Sequence, residues 1–133
     1  CRRENYSHVL FHGQAPPDQL TPFYAPGSIC LLPLSHAEIA RAYTSPLKIF
    51  EYLAAGRPII ASDLPAFREV VDTRSVLFVP PGDPKAIADA VSLLLRDKKL
   101  SDTLSLHAAS VSRAHSWKER GVLITSFIQN RIH

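Results

Sequence analysis

Methionine is absent from the 133-residue chain, position 1 included, and only one Trp and two Cys are present. The missing Met reads as an incomplete reading frame, or as an initiator removed ahead of Cys1. Cys1 and Cys30 are too few to cage a metal ion, and Cys30 sits in an apolar run where a thiol serves as a small hydrophobe, which fits a reducing cytoplasm. The six His and two Cys gather in no ligand cluster, and no Asp-x-Asp motif is present. Uninterrupted apolar runs fall far short of the roughly 20 residues that cross a bilayer, and no signal-like segment opens the chain. Blocks of like charge are missing too. The 15 Lys and Arg against 12 Asp and Glu give +3, scattered apart from the pairs Arg2–Arg3 and Lys98–Lys99, so a nucleic acid is not the expected partner. Internal repeats, low-complexity segments and linkers are also lacking.

What is present is a globular balance, 46% hydrophobic and 20% charged, in a length that suits one domain over residues 1–133. Val9–His12, Ile29–Leu34, Pro58–Ala61 and Val76–Val79 are apolar runs bounded by Pro, Gly, Ser or Asp. Such runs suit strands covered on both faces, because a parallel sheet packed by helices has no polar side. Helix-type stretches alternate with them, so the expected class is α/β, a Rossmann-like parallel sheet with flanking helices. Asp83 and Pro84 supply an N-cap and a proline at the first helical position, followed by Ile87, Val91 and Leu94 at helical spacing. Ser116 and Glu119 form a capping box for a helix from Trp117 to about Ile128, with Val122, Leu123 and Phe127 expected on its buried face and Trp117 as a core or docking anchor. Another helix is expected over Leu100–Ala114.

The most informative stretch is Ser45–Asp63, SPLKIFEYLAAGRPIIASD. Ser45 can cap a helix begun by Pro46, and Gly56 can close it. Leu47, Ile49, Phe50, Leu53 and Ala54 are expected to face inward, while Lys48, Glu51 and Ala55 share another face. A helix start placed after the strand Ile29–Leu34 offers backbone amides and a positive dipole end to a phosphate, with Leu47 and Lys48 contributing amides. Glu51, roughly 4 to 5 Å farther along the axis, is spaced to accept hydrogen bonds from an adjoining sugar. Spacing alone equally describes an exposed Lys48–Glu51 ion pair, the commoner outcome.

This segment resembles the nucleotide-sugar site of group 1 glycosyltransferases, retaining enzymes of the GT-B fold. VLFHGQ at Val9–Gln14, ICLLPL at Ile29–Leu34, SVLFVPPGDPKAIADAVSLLL at Ser75–Leu95 and HSWKER at His115–Arg120 resemble further family pieces in the same order. The resemblance implies the C-terminal half of a GT-B enzyme, a partial nucleotide-sugar-binding domain lacking its first two strand-helix units. It implies a nucleoside-diphosphate sugar as donor, no cofactor and no metal. A glycan or glycolipid acceptor would be held by a missing N-terminal domain, in a cytoplasmic enzyme compatible with peripheral membrane association. Glu51 would bind the ribose hydroxyls, Ser45, Leu47 and Lys48 would cradle the diphosphate, and Gly13 and Gln14 would lie beside the base. No catalytic base is implied.

The family's first Glu falls on Tyr43, and Pro65 and Ala66 stand where paired Gly is common, while Glu69 matches the Glu that follows. His36 and Arg41 fall on the rim where ligands of such sheets bind. Arg57 reads as structural, and Asp63 and Glu69 are not read as an acid-base pair. The isolated chain is expected not to transfer sugar. A nucleotide-sugar 2-epimerase-like domain and a non-catalytic nucleotide-binding remnant remain the alternatives.

Overall fold

A computed structural model describes residues 6, 8–34 and 47–131. Three parallel strands, β1 (Cys30–Leu32), β2 (Ile59–Ser62) and β3 (Leu77–Val79), form a sheet in that order. Cys30 pairs with Ile59 and Leu32 with Ala61, while Ile60 pairs with Leu77 and Ser62 with Val79. Among the described residues five helices accompany them: α1 (Leu47–Ala55), the single-turn α2 (Pro65–Arg68), α3 (Pro84–Arg96), α4 (Lys98–Ala114) and α5 (Trp117–Gln129). Two short 3-10 turns, Pro17–Gln19 and Thr21–Tyr24, precede β1.

β2 is buried along its whole length, as a central parallel strand requires. Its alternating side chains feed two cores. Ile59 and Ala61 join Cys30, Ile49, Leu53, Phe67, Val76 and Ala108 on one face. Ile60 joins Val79, Ala90, Leu94 and Leu104 on the other. α4 serves both, placing Leu104 in one cluster and Ala108 in the other. The sheet is therefore sandwiched between helix layers, the α/β arrangement expected.

Local signals set the boundaries. Asp83 accepts from the Ala86 amide at 2.9 Å, Asp97 from Leu100 at 2.9 Å and Ser116 from Glu119 at 3.2 Å, capping α3, α4 and α5. Gly56 ends α1 in the left-handed region, φ +59°, where a Cβ would stand 3.4 Å from the Ala109 Cβ. Ser62, fully buried, donates through Oγ to the Leu34 carbonyl and accepts from the Leu34 amide, both at 2.9 Å, so the chain leaving β1 stays fastened to β2.

Three expectations give way. Val9–His12 is not a strand: no described strand lies beside it to share a ladder, and Leu10 and Phe11 are 75% and 95% exposed. α5 forms where its cap places it but buries no residue, and Trp117, Val122, Leu123 and Phe127 all face solvent. No described element packs across its apolar positions, so spacing created a stripe without a surface to receive it. On α1 only Ile49 and Leu53 are buried; Phe50 is half-buried, while Leu47 and Ala54 are exposed. Leu47 lies in the first turn, where side chains lean back past the end of the helix. Among the described residues no helix is long and apolar enough to cross a membrane.

Candidate functional site

Of the residues singled out in the sequence, Leu47, Lys48 and Glu51 lie on α1. Lys48 Nζ donates to Glu51 Oε2 at 2.6 Å, and both side chains stay in contact with solvent. The pair has the i,i+3 spacing that places both on one helical face. The neighbouring carboxylate, by its hydrogen bond, holds the Lys48 ammonium above its ordinary pKa. Spacing alone foresaw this ion pair, and it occupies the surface where a ligand would have to lie.

A second donor reaches the same oxygen. The Tyr24 hydroxyl donates to Glu51 Oε2 over a long 3.4 Å. Tyr24 ends the 3-10 turn ahead of β1, and its ring stands edge-on to Tyr52, with centroids 5.9 Å apart. Burial, and then the Glu51 charge, push the Tyr24 phenol above its ordinary pKa, so it keeps its proton at neutral pH and can donate. Arg57, one residue beyond the cap of α1, donates through Nε to the Tyr24 carbonyl at 2.8 Å. This is the structural role expected of Arg57. Tyr24 was not foreseen, because nothing in the spacing of the Pro16–Tyr24 stretch marks it as a neighbour of Glu51.

Leu47 and Lys48 open the described part of α1, while Ser45, Tyr43, His36 and Arg41 lie outside the described residues. Gly13 has φ +70° with nothing within 4 Å of a Cβ placed on it, and Gln14 is exposed. Their loop is held one residue earlier, where the His12 ring meets the Phe23 ring edge-on at 4.7 Å. Phe23 precedes Tyr24, so a ring contact anchors the Gly13–Gln14 loop to the turn that carries the Glu51 partner.

At the carboxyl end of β2, Asp63 accepts from Arg68 Nε and Nη2 at 2.7 and 2.9 Å. That fork holds the Asp63 carboxyl below its usual range, and the Arg68 guanidinium also lies 4.1 Å from the Phe78 ring centroid. Asp63 is engaged in this pair. Burial pushes the Cys30 thiol up to about 11, as befits an inert core thiol. Among the described residues no group of three or more His, Cys, Asp or Glu could share a metal ion.

Residues 1–97 match the family described as glycosyl transferases group 1. Over 70 residues, 52% of this chain, the sequence is 41% identical to the phosphatidyl-myo-inositol mannosyltransferase of Mycobacterium leprae (strain TN), of which it covers 19%. The structure superposes on the sucrose-phosphate synthase of Thermosynechococcus elongatus with a TM-score of 0.77 and 25% identity, covering 96% of this chain and 31% of that one. The chain thus spans less than a third of either relative. A match over residues 1–97, carried on a parallel sheet with flanking helices, establishes that the chain belongs to the group 1 glycosyl transferases.

Proposed function

We propose that the chain is the donor-binding part of a cytoplasmic, retaining glycosyltransferase, which moves a hexosyl group from a nucleoside-diphosphate sugar to a glycan or glycolipid acceptor. The observation that carries this is the α1 constellation: one cation and one carboxylate on one face of the helix that follows β1. Both bonds that Glu51 accepts fall on Oε2, so among the described residues Oε1 takes none and is available to a ribose hydroxyl. Lys48, one turn nearer the helix start, suits the diphosphate.

In the transfer, the bond from the anomeric carbon to the diphosphate oxygen breaks and its electron pair stays on the diphosphate. The acceptor oxygen forms the new bond on the same face of the sugar, and its proton passes to the departing oxygen. Lys48 and the start of α1, Ser45 included, would stabilise the charge that builds on that group. Glu51 would hold the ribose so that the diphosphate stays in register, and Gly13 and Gln14 would border the base. Neither cofactor nor metal enters this scheme. The acceptor would be bound by a part of the protein outside this chain. The mannosyltransferase relative, with a phosphatidyl-myo-inositol acceptor in its name, favours a glycolipid and hence work at a membrane surface.

In the full-length protein, Glu51→Ala should weaken binding of the preferred nucleotide sugar at least tenfold in calorimetry, with UDP-, GDP- and ADP-sugars screened first by thermal shift. Unchanged affinity would remove the assignment.

A further inference from the structure

We propose that Tyr24 is a positioning residue for Glu51, holding its carboxylate so that Oε1 faces the ribose diol; this rests on the donor-site reading above. A carboxylate turns freely about its last torsion, which has no sharp staggered minima. Something must set that angle if one oxygen is to meet a pair of vicinal hydroxyls. Lys48 is poorly suited to the task alone. Its flexible side chain is 55% exposed, and its role toward a diphosphate would draw the ammonium away from Glu51.

Tyr24 is held differently. Its carbonyl is tied by Arg57 at 2.8 Å, its ring abuts Tyr52, and its hydroxyl addresses Glu51 Oε2. Two of these three partners, Tyr52 and Glu51, lie on α1, and Arg57 follows it directly, so the phenol moves with the helix it serves. A phenol is neutral at pH 7 and burial favours that form further, so the Tyr24 hydroxyl has a proton to donate. When Lys48 turns to phosphate, Tyr24 shortens its 3.4 Å approach and becomes the remaining donor on Oε2. The 3.4 Å separation is the slack that this exchange takes up, since a hydroxyl bond to a carboxylate closes to about 2.6 Å when unopposed.

The test compares a ribonucleotide with its 2′,3′-dideoxy analogue. UDP, GDP and ADP and their dideoxy forms are titrated calorimetrically against the full-length protein and its Tyr24→Phe and Glu51→Ala variants. Phenylalanine keeps the ring beside Tyr52 and the carbonyl under Arg57, and an unchanged melting temperature verifies this. The expected result is a loss of about three- to tenfold for the ribonucleotide in Tyr24→Phe with the dideoxy affinity unchanged, and a larger loss of the same selective kind in Glu51→Ala. If Glu51→Ala shows the selective loss and Tyr24→Phe does not, Tyr24 has no positioning role and the donor site stands. If Tyr24→Phe weakens both ligands equally, its part is merely structural and the proposal is overturned. If Glu51→Ala leaves the ribonucleotide unaffected, the donor-site reading itself falls.

Discussion

Val9, Leu10 and Phe11 are as apolar as Cys30, Leu31 and Leu32, yet the second triplet is a strand and the first is not. β1 has β2 beside it and Ile49 and Leu53 packed over one face, whereas Phe11 is 95% exposed. The same contrast recurs between helices. α4 and α5 are adjacent, each capped by a side chain, but α4 buries Leu104 and Ala108 while α5 buries nothing. Capping and turn chemistry involve a few neighbouring residues and operate wherever those residues occur. Burial needs a second surface, and an isolated helix of 13 residues is marginal in water without one.

The largest effect should come from cutting matched aromatics on either side of this divide. Phe67→Ala, in the first core, should cost about 3–5 kcal/mol, while Phe127→Ala should stay within about 0.5 kcal/mol. Urea midpoints at unchanged slope would measure both. Equal losses would mean that the exposed face of α5 is covered in solution. A smaller effect sharpens the helix comparison. Asp97→Ala should lower global stability by about 1 kcal/mol, because α4 is part of both cores. Ser116→Ala removes equivalent chemistry but should speed amide exchange within α5 while leaving the global midpoint in place. The smallest effect concerns groups that are well paired and uncovered. Lys85 and Asp89, 2.6 Å apart and 84% and 67% exposed, should show little coupling in a double-mutant cycle at low salt and none in 1 M salt.

Much of the architecture was legible because its signals are short-range. Asp83–Pro84, Ser116 and Gly56 define helix ends through contacts within three or four residues, and the run Pro58–Ala61 read as a strand covered on both faces, as β2 is. Val122, Leu123 and Phe127 misled because a periodic stripe specifies a direction and says nothing about what lies there. In the candidate site, Lys48 and Glu51 were legible through helical spacing. Tyr24 was not, since it reaches Glu51 across 27 residues from a segment without periodicity. The tie from Arg57 to the Tyr24 carbonyl leaves even less trace, because every residue carries a carbonyl and only folding selects which one is used.

Ser62 has a further consequence. Among the described residues, the rung it makes with Leu34 is the only side-chain hydrogen bond between the two strands' exits, and unlike the peptide rungs it depends on which amino acid is encoded. Alanine would delete it, and threonine would keep the hydroxyl while forcing a methyl group into fully packed space. The placement of Leu34 against β2 is therefore open to inheritance and selection one codon at a time. A lineage could retune that exit without disturbing the ladder behind it.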